Sequence, residues 1–267
     1  MVDRIKKLIQ NEIYKMLHQK FIYLSIICVI VVVIISGIGI GYVLPENSDA
    51  GSGYLFMLIS SRTAISMIGA VLILIFSSML ISNETSFGTI QMMLINPVSR
   101  LDFFLAKLIT AMIFSIILLT TIILSAFVVG KIIFSYGDLV ERGIVLFTQW
   151  EILSNFLYCY LILLFPIFAL ICYGLMISIL INNVGMAIGL SVGSIIFLDI
   201  VKERLNLSSF LFQSYIETPF EFAQDLIEGF GIDWTPKIFY CIGISGGWII
   251  VFLCIGYLIF SKKDYKY

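Results

Sequence analysis

The chain has 267 residues, 60% of them hydrophobic and 12% charged, with a mean hydropathy of +1.08 and a formal net charge of −1. Too few polar side chains remain to cover a soluble domain, so lipid must be part of the solvent; nothing in so balanced a charge points to nucleic acid. The five cysteines form no CxxC pair and read as small buried apolar residues, and a single histidine, His18, excludes a metal site built on paired histidines.

Residues 1–20 place Val2, Ile5, Leu8, Ile9, Ile13, Met16 and Leu17 at three- and four-residue steps, with Arg4, Lys6, Lys7, Lys15 and His18 mostly off that face. This spacing predicts an amphipathic helix lying in the membrane interface, its lysines turned to anionic head groups. The apolar run that follows is too long for a cleavable signal peptide and has no small-residue cleavage site.

A hydrocarbon core about 30 Å thick takes about 20 helical residues. Runs near 21–44, 56–82, 103–130, 152–181, 184–201 and 238–260 meet that length and predict an all-α membrane protein with six transmembrane helices, residues 21–267 forming one transmembrane domain. The second and fourth are long enough to tilt or break, with Pro166 a ready kink. The connection "INNVG" makes the fourth and fifth a tight antiparallel pair. With the N-terminus inside, cytoplasmic segments hold ten basic residues (Arg4, Lys6, Lys7, Lys15, Lys20, Arg100, Lys107, Lys262, Lys263, Lys266) and outer ones five (Lys131, Arg142, Lys202, Arg204, Lys237). Both termini are therefore expected in the cytoplasm. The outer loop 202–237 is acidic but rich in aromatic side chains, which predicts short helices packed on the membrane.

Between the second and third runs stands "SNETSFGTIQMMLINPVSRLDFFLAKL", residues 82–108. Asn83 reads as a helix cap with Glu84 in the first turn; Phe87, Ile90 and Leu94 share a face, and Pro97 stops the helix. Ser99 followed by Asp102 reads as a capping-box variant opening the third span. The expected product is a rigid cytoplasmic corner, residues 83–100.

The order E-T-S-F-G-T-I…L-I-N-P-V-S-R…A-K resembles the second intracellular segment of type-2 ABC transporter permeases, the membrane subunits of bacterial ABC exporters. The basic leader, the six runs, the long outer segment and the terminal F-S-K-K-D-Y-K agree, so the resemblance covers the whole chain. Its specificity sits in Glu84, Gly88, Thr89, Pro97, Ser99, Arg100 and Lys107. Met92 and Met93 depart from it, standing where a polar residue or leucine is expected. The resemblance implies that Glu84, Phe87, Gly88, Thr89, Pro97, Ser99 and Arg100 belong to a coupling helix docking on a separate cytoplasmic ATPase. It also implies a second permease copy or a related permease beside this one. No G-x-x-x-x-G-K-[ST] phosphate loop occurs, so no cofactor is expected on this chain; ATP and Mg belong to the partner, and the chain is a permease subunit, not an enzyme.

Gly185, Gly189 and Gly193 form GxxxGxxxG in the fifth run, read either as a permease–permease or pore-lining contact or as packing within one subunit. "GISGGW" contains the G-x-S-G of intramembrane serine proteases, but the sole histidine lies at the other end of the chain, so no base reaches that serine. Arg62, inside the second run among Ser60, Ser61, Thr63 and Ser66, reads as part of a polar outer vestibule or as a side chain reaching to head groups, with Asp199 a candidate partner. The function expected is export of a hydrophobic or amphipathic substrate (a peptide antimicrobial, a drug or a lipid-like molecule) through the cell membrane of a bacterium, with a role in antimicrobial resistance. An ion-coupled secondary carrier and a membrane immunity or anchor protein are the alternatives.

Overall fold

The computed structural model describes residues 2–43, 52–88, 99–134, 136–141, 144–227 and 235–263. In chain order these form α1 (Val2–Leu17), α2 (Lys20–Val43), α3 (Ser52–Ala64), a π-helical turn (Ile65–Gly69), α4 (Ala70–Ser86) and α5 (Arg100–Ile133). A short antiparallel ribbon follows, β1 (Leu139–Glu141) with β2 (Ile144–Phe147), then α6 (Gln149–Leu180), α7 (Val184–Arg204), a 3-10 turn (Phe212–Ile216), α8 (Thr218–Ile227) and α9 (Thr235–Lys262).

Six of these helical stretches are long and apolar enough to cross a membrane: Lys20–Gly39, Gly53–Ser86, Arg100–Ile133, Gln149–Leu180, Val184–Lys202 and Lys237–Lys262. The protein is a multi-pass, all-α membrane protein, as the apolar runs predict. The ribbon was not expected, and it is the only sheet among the described residues. Helix α6 runs without a break through Pro166. The second span contains the π-helical turn, which lets five residues share a turn just past Arg62.

The core lies where α4, α5 and α6 meet, with Phe76, Phe114, Leu118, Ile122, Ile167 and Leu170 all essentially closed to solvent. Phe76 and Phe114 pack with ring centroids 4.2 Å apart. Helices α4 and α6 cross closely: a Cβ added at Gly174 would collide with the Ser77 side chain. Nearby, the Ser178 hydroxyl accepts from the backbone N–H groups of Ile81 and Ser82 at 2.9 and 2.8 Å. Close backbone approach at a glycine and an interhelical hydroxyl bond are how helices associate in lipid.

The corner after the second span corrects the sequence reading. Asn83 does not open a helix. The span's own helix continues through it to Ser86, so Glu84 sits in a last turn, at the unfavourable end of the helix dipole. The local signal of an N-cap was present; ion pairing described below outweighs it. Helix α4 stops at Gly88, whose φ of 69° lies in the left-handed region that glycine enters without steric cost. At the other side of the corner Ser99 caps α5 as expected, its hydroxyl accepting from the Asp102 N–H at 3.0 Å. Thr89 and Pro97, with the rest of 89–98, lie outside the described residues.

Within the described part of the outer stretch, short helices pack on the bundle, burying Phe212, Ile216, Phe220 and Phe222. Its entry is a Schellman turn: Asn206 takes φ 51°, and the Leu207 N–H returns to the Lys202 carbonyl at 2.9 Å.

Candidate functional site: an ion-paired corner at the terminal end

Helix α1, the end of α4 and the start of α5 converge at the end of the bundle that carries both chain termini. Each contributes charge to one buried cluster. The Lys107 ammonium, on a residue only 2% exposed, donates to Glu12 Oε2 and to Glu84 Oε1, both at 2.5 Å. Lys15 Nζ adds bonds to Glu12 Oε1 at 2.9 Å and Glu84 Oε1 at 3.2 Å. Two carboxylates and two ammoniums cancel, which is what allows Glu12, Glu84 and Lys107 to be buried at all. Desolvation pulls the Glu12 carboxyl upward, but Lys107 and Lys15 outweigh it and hold it below the ordinary carboxylate value. For Lys15, burial pulls down while the bonds and charges of Glu12 and Glu84 push further up, leaving the ammonium above its ordinary value.

A cavity of ≈ 410 Å³ opens beside the cluster, lined by Glu12, Lys15, Gln19, Asn83 and Phe87 among others. Phe87 itself is 77% exposed, an aromatic ring presented at the lip with no core to fill. The ten-residue interval 89–98 thus leaves the described structure at Gly88, beside the cluster, and re-enters at Ser99. At that re-entry Arg100 Nη1 donates to the carbonyls of Phe260, Ser261 and Lys263 at 3.0, 2.7 and 3.1 Å, closing the end of α9. Lys263 in turn donates to the Ile179 carbonyl and, at 2.7 Å, to Asn182 Oδ1, closing α6. Both ends of the corner are therefore fastened to the bundle: one to α1 and α5, the other to α9 and through it to α6.

Of the residues singled out in the sequence, Glu84, Phe87 and Gly88 cluster at the first edge of the corner and Ser99 and Arg100 at the second. Glu84 and Arg100 turn toward the bundle, and among the described members of that set only Phe87 points freely outward. Glu12 escaped sequence reasoning, and Lys15, expected to turn to head groups, pairs instead with Glu12 and Glu84. The signal was there for Glu12, a lone acid at four-residue spacing between Leu8 and Met16 on an otherwise apolar face.

At the far end, Arg62 Nη2 donates to Glu217 Oε2 at 2.6 Å. Glu217, not Asp199, is its partner; Asp199 is held by Lys202 at 2.7 Å and Gln213 at 2.9 Å. The long outer loop returns a carboxylate to the second span, a contact between residues 155 apart that no local pattern announces. Gly185 sits beside the Asn183 cap, while a Cβ at Gly189 or Gly193 would touch nothing within 4 Å. Among the described residues, the glycine face of α7 at Gly189 and Gly193 therefore packs on no helix.

Residues 8–197 match the family model described as ABC-2 family transporter protein. The chain is also 22% identical over 242 residues to the uncharacterized protein YhcI of Bacillus subtilis strain 168, an alignment covering 84% of this chain and 73% of that protein.

Proposed function

The chain belongs to the ABC-2 family of transporter proteins, and from that premise we infer that it is the membrane-spanning permease subunit of an ATP-driven exporter. A separate cytoplasmic ABC ATPase binds ATP and Mg and docks on residues 83–100. Two permeases, this chain with a second copy or a related one, enclose the path. The cargo is a hydrophobic or amphipathic molecule, of the kind represented by peptide antimicrobials, drugs or lipid-like compounds, moved out of a bacterial cell through its plasma membrane. The termini then face the cytoplasm. No chemistry is asked of this chain; it offers the cargo different affinities in two conformations, and the ATPase sets which is populated.

The observation that carries this reading is the double anchoring of the corner. A displacement of residues 89–98 reaches α1 and α5 through Glu84, Lys107 and Glu12, and reaches α9 through Arg100. A passive tether has no need of a buried four-charge cluster at one edge and a triple carbonyl clamp at the other. The outward face of α7 at Gly189 and Gly193 supports a second permease, since small residues allow close approach and no helix among the described residues uses it.

Because Glu84 and Arg100 also hold the fold, the cleaner test is Phe87→Asp. The ring touches little in this chain, so the variant should keep the wild-type melting temperature. Losing an exposed aromatic anchor at an interface costs about 2 kcal/mol or more, so the affinity for the ATPase co-purified with the wild type should fall at least about tenfold, and stimulated ATPase activity with it. Unchanged ATPase binding and stimulation in Phe87→Asp, or a wild-type protein that retains no ATPase, would overturn the reading.

A further inference from the structure

A cavity of ≈ 370 Å³ lies in the half of the bundle away from the termini, enclosed by α3, α5, α6 and α8. Its lining grades from open to closed. Thr120, Leu124 and Leu157 form an exposed lip, the two leucines 58 and 59% open, while Met57, Phe220 and Ala223 are buried at the back. Phe156, half-buried, is part of the wall. The lip stands on the spans Arg100–Ile133 and Gln149–Leu180, so the solvent outside it is lipid hydrocarbon and not water. Helix α8 is pinned across the cavity by Arg62, next to the lining Ser61, which holds Glu217, just before Pro219, at 2.6 Å.

The chemistry of the lining selects what can enter. No charged side chain is among the lining residues. Ser61 donates to the Met57 and Leu58 carbonyls of its own helix at 2.6 and 3.1 Å. The Thr120 and Tyr160 hydroxyls are bonded to each other at 3.1 Å, a stitch from α5 to α6 at the lip. The sulfurs of Met57 and Cys159 pack as apolar atoms. A water needs about two to four polar partners, and a polar head would have to break bonds already made. An apolar cavity of about 150 Å³ stays dry and binds benzene; this one has more than twice that space. Left empty, its walls forfeit their dispersion contacts.

We propose that this cavity binds a hydrocarbon chain, which enters sideways from the bilayer over the Thr120–Leu157 lip and packs against Phe156 and Phe220. The lip is continuous with the lipid-facing surface of α5 and α6, and a chain is what the bilayer offers it there. A polar or charged molecule finds no unpaired group to bond. The same chain is carried by a membrane phospholipid and by a free amphipath such as a fatty acid. The inference goes beyond the transport reading and does not depend on it, since the cavity lies within a single chain.

The test uses the full-length protein in phosphatidylcholine nanodiscs with a palmitoyl chain that carries a diazirine at its middle. The chain is borne either on phosphatidylcholine or on the free fatty acid. After illumination, mass spectrometry locates the adducts. Phe156 and Phe220 should be labelled, along with Phe197 and Ile200 on the open lipid face of α7, each 63% exposed. Ala223→Phe fills the back of the cavity, and Leu157→Trp obstructs its lip. Both should abolish the adduct at Phe220 and leave those at Phe197 and Ile200 unchanged. Leu157 is exposed, so its variant decides should Ala223→Phe fail to fold. No adduct at Phe220 from either carrier, or an undiminished one in a folded plugged variant, would overturn the proposal. The ratio of Phe220 to Phe197 adducts assigns the source. A higher ratio from phosphatidylcholine means a membrane lipid, a higher ratio from the free acid means a free amphipath, and equal ratios mean that the chain alone is recognised. Phe87→Asp should be labelled like wild type, so loss of ATPase coupling and loss of the cavity remain distinguishable.

Discussion

Lys107 is the residue on which the terminal end depends. Its ammonium is nearly closed to solvent and is shared between two carboxylates on two different elements. Removing one member of a buried ion pair leaves uncompensated charge and typically costs about 3–5 kcal/mol. Lys107→Met should therefore lower the melting temperature of the purified protein sharply, since Glu12 and Glu84 would face each other with only the half-exposed Lys15 between them. The triple variant Lys107→Met, Glu12→Gln, Glu84→Gln removes both unpaired charges and should recover most of the loss. Equal melting temperatures for the single variant and the wild type would mean that the cluster contributes nothing to the fold. Neither partner of Lys107 was legible in the sequence as a partner. Glu84 carried a plausible local role as a first-turn acid, and what defeats that role is an ammonium 23 residues later.

At the scale of elements the sequence was far more informative. Lipid requires every spanning backbone group to be satisfied within its own helix, so continuous apolar length marks each span directly, and Ser99 marked the start of α5 through ordinary capping chemistry. Glycine spacing was the ambiguous signal. GxxxGxxxG at Gly185, Gly189 and Gly193 looks like a packing face, yet it is Gly174, four residues before Ser178, whose added Cβ would collide with a neighbouring helix, at Ser77. The two kinds of position respond differently. Gly174→Leu forces α4 and α6 apart and should abolish the folded protein, read as loss of the monodisperse peak after detergent extraction. Gly189→Leu meets open space within the chain and should fold, with a melting temperature within about 1 °C per few tenths of a kcal/mol of wild type. If a second permease packs there, Gly189→Leu should lower the fraction of cross-linked permease pairs in the membrane. Wild-type cross-linking in that variant would remove α7 from the pairing surface.

For the molecule as a whole, orientation decides which end meets which solvent. The bias in lysine and arginine predicts the corner and α1 inside the cell, and it counts basic residues whether or not acids neutralise them. This matters here, because Lys107 and Lys15 are spent in ion pairs at one end, and Lys202 and Lys237 at the other. Position-specific labelling checks the assignment directly. In a background with the five native cysteines replaced, a cysteine at Glu221, whose side chain is 49% exposed, should react with an impermeant maleimide added outside intact cells. A cysteine at Phe87, 77% exposed, should react only after the membrane is opened. The two ends are chemically unlike: one presents an aromatic lip above a neutralised charge cluster, the other an acid-rimmed cleft over an apolar floor. On the proposed reading, the ATPase docks on the inner end. Labelling of Phe87→Cys from outside would put the acid-rimmed cleft in the cytoplasm and leave the corner with no ATPase to meet, so the exporter assignment and the direction of transport would fall together.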